Sequence, residues 1–381
     1  MKKLFLFALL LCLSTTLWAK GPKYVFYFIG DGMGANHVAL TQGAMAARGD
    51  SVGFAQLSFT TFPIKGVATT HSATRLITDS AAAGTALASG EKTSPGTIGM
   101  TTDHSAPIES MAIKAHKAGR SVGILTTVSI DHATPAAFYA HEKSRSMYTQ
   151  IANWSINSGI DILAGSGFLE PSAHLFDSLK AANYSIVYGS RASLSGEKVV
   201  WMEDTSLPVD ALRYAIDRKG GEMTLPAMVD KSIQFLMSKN SKQGFFMMAE
   251  GGKIDWAAHS NDAATIVHEV MDLSDAVAVA VAFYKAHPKQ TLIVVTADHE
   301  TGGLSLGRRE GNYDSDLGAL FTQVASDSLK QQTNLKARAA FTSGAHTAAL
   351  VPIFALGQGA ELFDGTMDNT EIAKKLINLM K

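Results

Sequence analysis

The chain has one cysteine, Cys12, in 381 residues, so it can form no internal disulfide, and its stability must come from packing or bound ions. Neither sign of charge is in excess. The 33 Lys and Arg against 34 Asp and Glu leave no basic field to hold a nucleic-acid backbone or an anionic bilayer, so neither is an expected partner. No repeat, low-complexity tract or linker divides the sequence. What is present is ample core material, 46% apolar against 18% charged residues. Residues 1–19 carry Lys2 and Lys3, an apolar run from Leu4 to Leu13 and a polar stretch ending at Ala19. That is the anatomy of a cleaved signal peptide, too short to span a membrane, and it implies a periplasmic or secreted protein. Cys12 falls inside this leader and follows three leucines, where a lipidated cysteine would follow a small residue.

Short β-rich apolar runs alternate with helical patterns, which predicts an α/β fold with a central, mostly parallel sheet and helices on both faces. Strands are expected over Tyr24–Ile29, Ser121–Val128, Ile160–Leu163, Phe245–Ala249, Leu292–Thr296 and Val351–Ala355. Helices are expected over Leu225–Lys239 and Ala263–Ala286, the latter buried from Ala276 to Tyr284, and from about Asp79 through Ala88. Residues 20–381 read as a single domain. Residues 304–343, polar and Gly-rich, read as a small crown-like insertion over the sheet, and 183–222 as a second insertion. Function is expected where parallel strands end.

Ile29-Gly30-Asp31-Gly32-Met33-Gly34 follows a strand, but its third glycine comes one place too early for a dinucleotide fingerprint. A carboxylate between glycines there suits a metal ligand or a tight turn. Ser80, next to Asp79 at the head of an Ala-rich helix, suits an N-cap or a nucleophile facing an anion-binding helix N-terminus. Gly84 to Thr93 misses the P-loop spacing. Asp255 and His259 are spaced i, i+4, so they share one helical face either as a surface pair or as ligands of one ion, with Glu250 at a strand end for a neighbouring ion. Asp298-His299 leaves another strand, with Gly302 and Gly303 giving room to turn. Taken singly, His346 is a structural histidine and Arg145 a solvated charge. Taken together, strand ends deliver Asp, Ser, Glu and Asp-His, a carboxylate and imidazole mixture that suits zinc with a harder ion.

With Thr78-Asp79-Ser80-Ala81 and Thr296-Ala297-Asp298-His299 in this order, the chain resembles the bacterial alkaline phosphatases, in the compact form of cold-adapted and marine bacteria. The resemblance implies phosphate monoester hydrolysis through a phosphoserine on Ser80, at a site with two Zn2+ and one Mg2+. It implies Asp255, His259 and His346 on one zinc, and Asp31, Asp298 and His299 on the other, beside the Ser80 oxygen. Asp31, Glu250 and Thr134 would hold the magnesium, Arg145 would clamp phosphate, and the protein would be a homodimer. The remaining histidines read as packing or surface groups. In Asp79-Ser80-Ala81-Ala82-Ala83-Gly84 the serine is not followed by the Pro and Arg that a sulfatase needs, and the leader argues against a cytosolic mutase. A metal-dependent phosphodiesterase and a non-catalytic periplasmic zinc or phosphate binder remain as alternatives.

His132 and Trp256 stand where the best-known enterobacterial pattern has Asp and Lys. Without that carboxylate and ammonium beside the phosphate, product should be held less tightly, and His132 is a softer neighbour for the third metal. Trp256→Lys is therefore expected to tighten competitive inhibition by inorganic phosphate, read from steady-state inhibition curves; unchanged inhibition contradicts the argument.

Overall fold

The computed structural model describes residues 21–207, 209–307, 316–322 and 327–381. The expected leader, with Cys12, lies outside these residues. The strands are β1 (Tyr24–Gly30), β2 (Ile64–Thr69), β3 (Ser121–Thr126), β4 (Ile162–Gly165), β5 (Tyr184–Tyr188), β6 (Lys198–Met202), β7 (Phe245–Gly251), β8 (Thr291–Thr296), β9 (Glu300–Thr301), β10 (Leu304–Leu306), β11 (Ala339–Phe341), β12 (His346–Thr347), β13 (Val351–Gly357) and β14 (Gly365–Asp368). Ten form one sheet in the order β14-β2-β13-β8-β1-β7-β3-β4-β6-β5, and β13 alone runs against the others.

β1, β3, β7 and β8 are buried at every position, which is why they read as continuous apolar or aromatic runs rather than alternating ones. Helices cover both faces. Ala35–Arg48, Leu225–Ser238 and Ala263–Ala286 pack together, and Ser80–Ser89, Met111–Lys117 and Asn369–Leu379 form a second group. Asp79 caps Ser80–Ser89 by accepting from the Ala82 N–H at 3.1 Å, and Gly90 ends that helix at φ +82°. β3 stops at Thr126, short of the expected Val128, because the Thr126 hydroxyl accepts the Val128 N–H and the chain turns. The predicted burial of Ala276 to Tyr284 holds for Ala276, Val277 and Ala280, while Ala278 and Ala282 face solvent.

Residues 183–222 are not a simple insertion, since they supply β5 and β6, which extend the sheet through buried Val199, Val200 and Trp201. The described part of 304–343 lies outside the large sheet, and there β10 pairs with β11. Between β6 and Leu225 runs an irregular arm tied to the core by polar bonds. Leu212 N–H donates to Thr127 O, Ala215 N–H to Glu269 at 2.6 Å, and Arg218 makes two bonds to Asp272 at 2.7 and 3.2 Å. Glu269 and Asp272 both lie on the helix Ala263–Ala286.

Burial, then the Asp272 charge, pushes the Glu269 carboxyl up to about 7, against the Ala215 N–H and the charges of Arg218 and Lys253. The folded chain thus keeps a proton that the unfolded chain releases near 4.5. This contribution to stability is complete below the unfolded value and is lost as pH rises through about 7. Glu269→Gln keeps the shape and the acceptor without the charge. It should match the wild-type Tm in acid and exceed it in mildly alkaline solution, by up to about 3 kcal/mol in chemical denaturation.

Candidate active site

The carboxyl ends of β1, β7 and β8 lie side by side, with Ile29 registered against both Glu250 and Thr296. Asp31, Glu250 and Asp298 therefore converge without any unusual backbone. Ser80 comes from elsewhere. It follows a loop after β2 rather than a strand end, and it opens a ten-residue helix whose free N–H groups and dipole favour an anion. Its Oγ lies 3.2 Å from His299 Nε2, and that nitrogen is 3.4 Å from Asp31 and 3.3 Å from the Asp298 Oδ2.

The imidazoles are oriented by their other nitrogens. His259 Nδ1 donates to Gly344 O at 2.7 Å, and His346 Nδ1 donates to Thr78 O at 2.8 Å. The two Nε2 atoms are left 3.2 Å apart, at 3.3 and 3.5 Å from the Asp255 Oδ1. Thr301 Oγ1 donates to Asp255 at 2.5 Å and so accepts from His299 Nδ1 at 3.2 Å. In all three rings the Nε2 lone pair faces the cluster, the tautomer a metal requires. β12 pairs with β9, which brings His346 opposite Thr301 across a gap of over forty residues in sequence.

Arg145 reaches the same place from its own loop. Nη1 donates to Asp79 at 3.4 Å, and Nη2 lies 3.2 Å from His132 Nε2. Asp79 is thus a helix cap and a brace for Arg145, a second role that its sequence position gives no sign of. The His132 ring lies 6.1 Å from that of Trp256, centroid to centroid. Thr134 sits behind, and the Thr126 hydroxyl donates to Glu250.

Burial, then the charges of Asp298, Asp255 and Glu250, holds Asp31 well above the usual carboxylate range. Burial pushes Glu250 up to about 8 and Asp298 up to about 7, and pulls His299 down to about 4. His132 falls to about 3 through burial and the nearby Arg145. Asp255 goes the other way: burial would raise it, but the His259 bond and the three imidazoles outweigh that and leave it below its ordinary value. So many buried acids beside a single guanidinium call for added positive charge.

The unmet hydrogen-bonding capacity points the same way. Both oxygens of Asp31, Oε1 of Glu250, Oδ2 of Asp298, Oγ1 of Thr134 and Nδ1 of His132 are buried without partners. Ligand atoms lie within 4.8 Å of one another in three groups, Asp255 with His259 and His346, Asp31 with Asp255 and His299, and Asp31 with His132 and Glu250. The donor set fits bound cations, borderline ones at the imidazoles and a harder one near Glu250. His132 joins the last group as a neighbour, and Asp255 borders two.

A cavity of about 430 Å3 opens over Ser80. Arg145, His132, Trp256, Asp255, His259 and His346 line it, as do two residues that the sequence did not single out, Tyr214 and Ser260. Tyr214 sits on the irregular arm, where no periodicity or motif marks it. Among the described residues no helix is long and apolar enough to cross a membrane.

Comparison with known proteins agrees with this geometry. Residues 22–163 and 207–318 match the family model described as alkaline phosphatase. The chain is 32% identical to Alkaline phosphatase 4 of Bacillus subtilis over 94% of its own length and 89% of that protein. The cold-active alkaline phosphatase of the psychrophile Shewanella sp. superposes with a TM-score of 0.84 at 30% identity, covering 94% of this chain and 100% of that one. The alkaline phosphatase of the Antarctic bacterium TAB5 gives 0.78 at 31% identity over 95% and 98%. A solved form of the TAB5 enzyme with a His-to-Glu substitution has Mg bound in its M3 site. Motif order, sheet, buried acid-and-imidazole cluster and these likenesses agree: the chain belongs to the alkaline phosphatase family and is a phosphomonoesterase of that kind.

Proposed function

We propose that Ser80 is the nucleophile and that hydrolysis runs through a phosphoserine in two in-line displacements. The observation that carries this is the placement of the Ser80 Oγ at a helix N-terminus and against a nest of buried, unpartnered carboxylate oxygens. In this reading Asp255, His259 and His346 hold one Zn2+, Asp31, Asp298 and His299 hold a second, and Asp31, Glu250 and Thr134 hold Mg2+. When bound, such ions supply Lewis acidity that stabilises oxyanions and makes alkoxide and hydroxide available near neutral pH.

The chain's own groups then do the following. Ser80 Oγ, its proton released to solvent, bonds to phosphorus as the ester P–O bond breaks, and the leaving oxygen departs with that electron pair and takes a proton from water. In the second step a water oxygen that has given up a proton to solvent attacks from the opposite side, and the Ser80 oxygen leaves with the P–O electron pair and is reprotonated. His299 is a poor general base, since burial depresses its basicity in spite of the carboxylates around it, and it would serve as a ligand through Nε2. Asp79 braces Arg145 so that its two terminal nitrogens present a planar fork to two non-bridging oxygens, a geometry that lysine lacks. His132 and Trp256 border the phosphate.

The same reading takes residues 20–381 as one domain with 304–343 as its insertion. It takes the leader as cleaved on export, on its basic, apolar and polar order, and the enzyme as a homodimer, on its family likeness.

Ser80→Ala should lower turnover of a chromogenic phosphate monoester by about a thousandfold or more while leaving metal content per chain unchanged. Chelation should abolish activity and added zinc restore it; full activity in Ser80→Ala or in the chelated enzyme overturns the reading, and a mere binder would show no turnover at all. Arg145→Lys should cost roughly ten- to a hundredfold in kcat/KM and weaken phosphate inhibition, with Tm unchanged. Unaltered kinetics would remove Arg145 from the phosphate site.

A further inference from the structure

The cavity over Ser80 is polar almost throughout, with a serine hydroxyl, a guanidinium, imidazoles and a carboxylate on its walls. Two large rings interrupt this lining, Tyr214 and Trp256, and both are half-buried. They are not independent side chains. The buried Lys253 ammonium lies 3.4 Å from the Tyr214 ring centroid and 5.3 Å from that of Trp256, and it donates to Leu212 O at 3.0 Å. One cation therefore holds both rings and ties down the backbone two residues before Tyr214. On the other side of Tyr214, Ala215 N–H bonds to Glu269 at 2.6 Å and Arg218 to Asp272. Tyr214 is thus presented on an irregular segment fixed on both sides by buried charges, and little ordering remains to oppose contact with a ligand.

Building on the phosphomonoesterase assignment, we infer that Tyr214 selects the leaving group. Together with Trp256 it forms an aromatic wall at the mouth of the site, against which a planar aromatic leaving group packs. Arg145, the helix N-terminus and the cation cluster take the phosphoryl end, whose charge suits them. The ester's other half has to cross the remaining lining, and there the rings offer the large apolar surfaces. An aryl group gains offset or edge-to-face contact with them that a polyol cannot make. Burial, then the charges of Glu269, Asp262, Asp255 and Asp217, holds the Tyr214 phenol well above its ordinary value, so the ring stays neutral in alkaline solution.

The test compares kcat/KM for phenyl phosphate and for glycerol 2-phosphate, whose ratio cancels effects common to both esters. In Tyr214→Ala the phenyl-to-glycerol ratio should fall about three- to tenfold, the size of an aromatic pair contribution, with the change carried by KM. Tyr214→Phe should preserve the ratio. Lys253→Met should lower it in the same direction, because both rings lose their common support. An unchanged ratio in Tyr214→Ala overturns this inference alone; an equal loss in Tyr214→Phe also overturns it, by assigning the effect to the hydroxyl. A wild-type enzyme that turns over neither ester overturns the hydrolase assignment as well. A measurement on the unmodified enzyme guards against a misfolded variant: phenylphosphonate should inhibit more tightly than methylphosphonate, and equal inhibition contradicts the aromatic wall.

Discussion

Four carboxyl groups in and beside the ends of neighbouring strands, all buried and three of them with at least one oxygen that has no hydrogen-bond partner, set the terms for the rest of this molecule. An ionised carboxylate taken out of water carries a penalty of several kcal/mol, and one guanidinium cannot offset four of them. Burial accordingly pushes Glu250 and Asp298 far up, and only Asp255, ringed by imidazoles, is held low. Such a cluster persists because the strands that deliver it are fixed by an apolar core on both faces, so the acids cannot relax apart. Folding and cation binding are then linked, since each bound ion removes repulsion that the sheet otherwise has to bear.

The imidazoles show how such a site is aimed. His259 and His346 are oriented by the carbonyls of Gly344 and Thr78, and His299 by a threonine that is itself committed to Asp255. These partners act mostly through the backbone, and their side chains carry no chemical signature. A substitution near them would change ring direction before it changed any ligand, which makes the outer shell as demanding as the inner one.

That division explains what was legible in the sequence. Asp31, Glu250, Asp298 and His299 could be found because each follows an apolar run that announces a buried strand, and the end of a parallel strand is where ligands collect. The central strands were visible for the same reason. The edge was not. β2, β5 and β14 mix buried with half-buried or exposed positions, and β5 and the mostly buried β6 lie in the stretch read as an insertion. The reversed direction of β13 leaves no trace in its composition either. His346, Arg145 and Thr134 had no local signal, and the family resemblance alone placed them. Asp79 as a brace and Tyr214 as a wall were missed because both roles depend on contacts distant in sequence.

The site is built in two ways. The reacting end stands on strand termini and a capped helix, elements that hold side chains to within a fraction of an ångström. The entrance is carried by an arm without regular structure, where a residue can change without disturbing the sheet. Yet the arm is not free: the anchors Glu269 and Asp272 lie on the long helix that also packs against β1, β7 and β8, and Lys253 opens the turn that bears Asp255. Acids that would be costly in the core are met by the arm, Glu269 by the Ala215 N–H and Asp272 by Arg218, so arm and core stabilise each other. Replacing the arm wholesale would strand those acids. The entrance can therefore vary residue by residue at positions such as Tyr214 while its anchors stay fixed, and the outward ester group can be selected without moving the atoms that carry the chemistry.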